Sequence, residues 1–170
     1  MGFTEQDRQR VIELDDALRS SDDGELFITP DDEGFYSWYA RLLSSLAVLK
    51  GDDVIVFGGT IVDGTSARLV VVTERAVMVA DVQDTTGNET VPVQVAPLSS
   101  MTALSVSASM RYDVKGPLKT GWPGNLVLEA DFEGFPDAVR FEGSSYDRYA
   151  TDNVGDISHL LELLRSKLGV

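Results

Sequence analysis

Residues 69–82, LVVVTERAVMVADV, decide the fold. Two short apolar runs rich in valine flank the polar tetrad Thr73, Glu74, Arg75 and Ala76. Residues 70–72 and 77–79 are too short and too β-branched to read as helices, because a branched Cβ is stiff in a helix and packs well on a pleated surface. The stretch reads as a β-hairpin with the tetrad as its turn. Each run is apolar at consecutive positions, so both faces of the hairpin need cover. The rest of the chain has to supply it.

The flanking segments continue the strand pattern. Upstream, residues 54–57 and 60–62 surround Gly58 and Gly59 and read as one bent or bulged strand, with Asp63 and Gly64 turning into the hairpin. Downstream, residues 83–89 form a turn around Gly87 and Asn88, and residues 90–96 form a strand that Pro92 marks as an edge. Residues 101–112 then alternate: Leu104, Val106, Ala108 and Met110 interleave with Ser105, Ser107, Ser109 and Arg111. That period predicts a strand with one buried and one wet face. Residues 113–124, DVKGPLKTGWPG, carry the glycines and prolines of a long exposed loop. Residues 125–132 and 137–142 are the last two strands, joined by a turn at 133–136.

Helices lie at both ends of the chain. Thr4 with Asp7 resembles an N-cap, and Val11, Leu14 and Leu18 share a face, predicting a helix over residues 5–19. Thr29 and Pro30 begin a second helix, with Asp31, Asp32 and Glu33 at the positive end of its dipole. Phe35, Trp38, Tyr39, Leu42, Leu43, Leu46 and Leu49 stripe its side, and Gly51 ends it. The closing helix begins at Asn153 or Asp156, with Ile157, Leu160, Leu161, Leu164 and Leu168 on one face and Gly169 as its cap.

This order resembles the pleckstrin-homology (PH) superfold, in particular bacterial PH-like and GRAM-like domains. The resemblance is carried by LVVVTERAVMVADV, with a TxxR turn between the second and third strands, by VAPLSSMTALSV leading into the fifth, and by the helix DISHLLELLRSKL. It implies an α+β fold: a seven-stranded antiparallel PH-like barrel or orthogonal sandwich, capped by the C-terminal helix and preceded by two N-terminal helices. Residues 1–50 are then a helical extension and 51–170 the PH-like domain. The expected cover for the hairpin is the leucine face of the last helix on the inner side of the barrel. The aromatic stripe of the second helix, or a second subunit, would cover the remainder.

Charge and motifs narrow the function classes. The 170 residues suit one folded domain, and 28 acidic against 14 basic side chains give a net charge of −14. The basic residues are scattered singly, so a nucleic-acid partner is not expected, and anionic lipid is repelled. In the superfold, basic loops near the first strands hold phosphoinositide head groups; here only Arg68 follows Asp63 and Gly64, and phosphoinositide binding is not supported. Zero cysteines exclude disulfides, thiolate metal sites and a thiol nucleophile. No G-x-S-x-G, P-loop, G-x-G-x-x-G or calcium loop is present, so neither an enzyme nor a cofactor is expected. His159 stands alone and reads as a rim residue, and the pairs Asp15/Asp16, Asp22/Asp23, Asp31/Asp32 and Asp52/Asp53 read as helix starts, turns and a solvated face. The N-terminus has no secretory pattern and no apolar run spans a bilayer, making the cytoplasm the expected location.

The expectation is a non-enzymatic interaction module working through a protein partner or a homo-oligomer. A small-ligand or lipid-binding barrel is the alternative. Candidate partner contacts are Trp38, Tyr39 and Leu42 on the helical stripe and Lys115, Lys119 and Trp122 in the loop, where basic and aromatic residues meet.

Overall fold

The structure is a computed structural model that describes residues 4–19, 37–85, 90–109, 125–144 and 157–169. The helices α1 (Glu5–Arg19) and α2 (Ser37–Lys50) precede seven strands. These are β1 (Ile55–Asp63), β2 (Ser66–Thr73), β3 (Ala76–Val82), β4 (Val93–Pro97), β5 (Met101–Ala108), β6 (Asn125–Phe132) and β7 (Val139–Ser144). Helix α3 (Ile157–Leu168) closes the chain. The order is the expected one: four antiparallel strands, then three, then a helix.

The hairpin forms as its composition dictates. β2 pairs with β3 in continuous register from Ala67 opposite Val82 to Val72 opposite Val77. The turn is organised by Thr73, whose buried Oγ1 accepts hydrogen bonds from the backbone N–H groups of Arg75 and Ala76 at 3.3 and 3.1 Å. A threonine at this position therefore replaces the ladder partners that the turn residues lose. Arg75 also reaches back to the carboxylate of Asp53, just before β1.

Both faces of the hairpin are covered, by different layers. Leu69, Val71, Met78, Ala80 and Val82 share one apolar cluster with Leu14, Leu18, Trp38, Leu42 and Leu46 of the N-terminal helices. Val70, Val72, Val77 and Val79 belong to a second cluster with Leu126, Leu128, Phe132 and Phe141 of the second sheet and Ile157, Leu160 and Leu164 of α3. The pleat assigns successive residues to opposite sides, so a consecutive valine run becomes two interleaved core faces. Each fully buried valine or leucine contributes roughly 1.5–3 kcal/mol relative to exposure. Sheet β1-β2-β3-β4 is thus a shared wall between a helical layer and a layer made of sheet β5-β6-β7 with α3.

The helical layer is fastened by close approach and by charge. Gly58 lies where a Cβ would sit 2.6 Å from the carbonyl oxygen of Ala17, so only glycine lets α1 pack directly on β1. The Asp7 N–H donates to Thr4 Oγ1 at 3.2 Å and the Thr4 N–H donates to Asp7 Oδ2 at 3.0 Å, closing a capping box on α1. Those bonds from Thr4, with Arg10 nearby, hold the Asp7 carboxyl below the usual carboxylate range. Arg10 and Gln6 both bind Asp52 beyond the end of α2, at 2.6 and 2.9 Å. Lys50, buried at the end of α2, meets Glu13 at 3.1 Å.

Several expectations need correction. The strands form two separate hydrogen-bonded sheets among the described residues, not a closed barrel. The irregularity in β1 falls between Ile55 and Phe57, ahead of the glycine pair, which stays in register with Val71 and Val70. Glycine at Gly58 serves packing instead. Most consequentially, β5 does not have a buried face: only Met101 is buried and Leu104 half-buried, while Val106 is 48% exposed and Ala108 lies open. The expected start of the second helix at Thr29 and Pro30, and the end of the fifth strand at 110–112, lie outside the described residues.

Candidate interaction surface

The residues singled out on the second helix are spent on the chain's own core. Trp38, Tyr39 and Leu42 are buried against α1 and the first sheet. Trp38 donates its indole N–H to the carbonyl of Thr85 at 2.8 Å, and its ring meets Tyr39 edge-on with centroids 5.6 Å apart. Tyr39 donates its hydroxyl proton to Asp15 Oδ1 at 2.7 Å. Burial and the Asp15 carboxylate together push the phenol well above its ordinary pKa. Lys115, Lys119 and Trp122 lie outside the described residues.

Of the acidic pairs, Asp22/Asp23 and Asp31/Asp32 lie outside the described residues, and carboxylates of the other two pairs bind neighbouring side chains. Asp15 binds Tyr39 and Arg19, Asp52 binds Arg10, and Asp53 binds Arg75. The Arg10 guanidinium holds the Asp52 carboxyl below its usual range. Among the described residues no group of three or more His, Asp or Glu side chains is arranged to hold a metal ion. His159 lies exposed on α3, as its isolation in the sequence suggested.

The four sheet edges differ sharply, and this is the surface that sequence reading missed. β1, β4, β5 and β7 each pair on one side only among the described residues. An open edge displays unpaired N–H and C=O groups, and natural sheets guard it with charge, proline, bulges or short length. β1 has its bulge near Ile55 and ends at Asp63. β4 is five residues long, with Pro92 before it and Pro97 at its end. β7 carries Arg140 and Glu142, ion-paired at 2.5 Å. β5, MTALSVSA, has eight residues, neither charge nor proline, and one irregularity at its start between Met101 and Ala103.

The ladder fixes which backbone groups of β5 are open. Ser109 donates its N–H to the carbonyl of Asn125 at 2.9 Å, continuing the register in which Ala108 faces Leu126 and Val106 faces Leu128. Backbone polar groups of successive strand residues point to alternate sides, so Ser105 and Ser107 are directed at β6. Leu104, Val106 and Ala108 direct theirs at the free edge. The same three residues share the sheet face of the buried Leu126, Leu128 and Ala130, yet the cover thins above them. The alternation of serine with apolar residues identified the face correctly.

A second feature lies where a barrel would close. Between β1 and β7 a cavity of about 180 Å³ is lined by Phe57, Gly59, Ile61, Val70 and Phe141, with Arg140 and Glu142 alongside. Phe57 and Phe141 meet edge-on across it at 5.7 Å. The two strands approach through these rings and not through backbone pairing.

No family model matches the chain, and no curated protein matches it. Among solved structures it is similar to a DUF1696 family protein with a pleckstrin-homology domain from Shewanella loihica PV-4. The identity is 14%, the match covers 75% of this chain and 90% of that one, and the TM-score is 0.39. No helix among the described residues is long and apolar enough to cross a membrane.

Proposed function

We propose that this chain is a non-enzymatic interaction module of the cytoplasm that acts through protein–protein contact or self-association. The observation that carries the reading is the open, uncharged edge of β5, whose apolar side chains and free backbone groups lie together on Leu104, Val106 and Ala108. An added strand gains main-chain hydrogen bonds from such an edge and side-chain contacts from alternate positions. The net charge of −14 disfavours nucleic acid and anionic lipid as partners. Capture from the native cell with the wild-type chain and with Ala108→Lys tests this reading. A protein retained by the first and lost by the second supports it; a chain that retains nothing and shows no self-association overturns it.

A second reading, a small-ligand or lipid-binding protein, draws on the cavity between β1 and β7. Its lining joins the rings of Phe57 and Phe141 to the polar groups of Thr60, Arg140 and Glu142, which suits a small ligand with both apolar and polar parts. Native mass spectrometry of protein taken directly from cell extract checks it: an added mass that disappears with Phe141→Ala favours the cavity, and a bare chain argues against it.

A further inference from the structure

We infer that the cavity between β1 and β7 takes a small organic cation, a protonated amine on an apolar body of about one ring. The inference deepens the small-ligand reading above and rests on it. Size sets the body. The cavity holds about 180 Å³. An apolar cavity of roughly 150 Å³ already admits a benzene-sized molecule, so there is room for one ring with a short polar arm. Phe57 and Phe141 supply aromatic walls, edge-on with centroids 5.7 Å apart. Gly59 lets the first ring lie along β1, since a Cβ there would sit 2.7 Å from Phe57 Cε1. Ile61 and Val70 add aliphatic surface.

Charge selects the amine. Arg140 is the basic residue of the lining, and its guanidinium is already committed to two carboxylates. Its Nε donates to Glu142 Oε1 at 2.5 Å and its Nη1 donates to Glu129 Oε1 at 3.1 Å. Two carboxylates against one guanidinium leave this side of the cavity with an excess of negative charge. Glu142 Oε2 makes no hydrogen bond among the described residues, and it is free to accept one from an ammonium group. An anionic ligand would have to draw Arg140 away from both of its partners. A neutral hydroxyl could bond to Glu142 but would gain none of the attraction between charges. The aromatic walls act in the same direction, because a ring quadrupole draws a cation to its face. The net charge of −14 concentrates cations around the whole chain and depletes anions.

Titration of the full chain with benzylammonium, benzyl alcohol and benzoate, probes of one ring that differ in charge, tests the inference. Nuclear magnetic resonance follows the methyl signals of Ile61 and Val70, both in the lining. The expected order is benzylammonium at least about tenfold tighter than benzyl alcohol, with benzoate weakest. Added salt weakens the ammonium probe and leaves the alcohol unchanged. Glu142→Gln removes most of the preference for the cation while the alcohol binds as before. That side chain is 49% exposed, so the variant keeps its fold, and circular dichroism checks it. Benzyl alcohol or benzoate binding as tightly as benzylammonium overturns the amine and upholds the cavity as a ligand site. A preference for the cation that survives Glu142→Gln overturns recognition at this carboxylate. If none of the three probes moves the Ile61 and Val70 signals, the small-ligand reading falls together with the amine.

Discussion

The hairpin β2–β3 and the strand β5 are both apolar β-structure, and they meet opposite fates. In the hairpin, consecutive valines are buried on both sides, because the N-terminal helices cover one face and the second sheet with α3 covers the other. In β5, a cleaner alternation leaves Val106 and Ala108 in the open. Apolar periodicity tells which face a side chain takes, while burial depends on whether another layer reaches that far. The hairpin lies at the centre of its sheet and β5 at the edge of its own.

The sharpest way to break this contrast is to place the same charge in each region. Val72→Asp puts a carboxylate into a fully buried site with no partner and unfolds the chain or costs more than about 4 kcal/mol. Val106→Asp, facing water, changes stability by less than about 0.5 kcal/mol. Denaturant titration of the two variants reads the difference directly. If they are equally destabilised, β5 is core after all.

Next in size is the helical cover. Trp38→Ala empties a fully buried indole site and orphans the carbonyl of Thr85, an expected loss of about 3–5 kcal/mol in urea titration. Gly58→Ala presses a methyl group against the Ala17 backbone and costs about 1–3 kcal/mol. Its signature is faster amide exchange in α1 with little change in β6. A Gly58→Ala chain as stable as wild type would mean that α1 does not seat on β1 as closely as the geometry places it.

The smallest effect is electrostatic and depends on pH. The Tyr39 phenol is raised above its unfolded value, so the folded chain holds that proton more tightly than the unfolded one. The stability it contributes is fully present below about pH 10 and is lost as pH rises beyond it toward the folded value. Tyr39→Phe lowers stability at neutral pH by about 1 kcal/mol, through the lost bond to Asp15, and flattens this alkaline decline. Thermal midpoints of both chains across the alkaline range check the slope. An unchanged decline in Tyr39→Phe would assign it to other groups.

Much of the architecture was legible in the sequence. The hairpin announced itself by β-branching, α1 by its Thr4 and Asp7 cap, and α3 by its leucine face and terminal Gly169. The demand that the hairpin be covered on both sides was also readable, and the aromatic stripe through Trp38 meets half of it. What could not be read was distance between layers. Whether β1 and β7 join by backbone bonds or only through Phe57 and Phe141 depends on sheet curvature, which no residue pattern encodes locally. The open face of β5 has the same origin, since its residues look like core residues and only the reach of the opposing layer decides. The candidate contacts Trp38, Tyr39 and Leu42 were legible as an apolar stripe, and a stripe alone does not say whether its partner lies in the same chain.

The shared wall also sets an order of opening events. Amides of β2 and β3 cannot exchange with solvent through loss of either outer layer alone, because the neighbouring strands and the other layer still hold them. Release of α1 and α2, or of β5 and α3, is a partial event confined to one side. The valine amides between Ala67 and Val82 exchange only when the whole chain unfolds, so their protection factors measure its global stability.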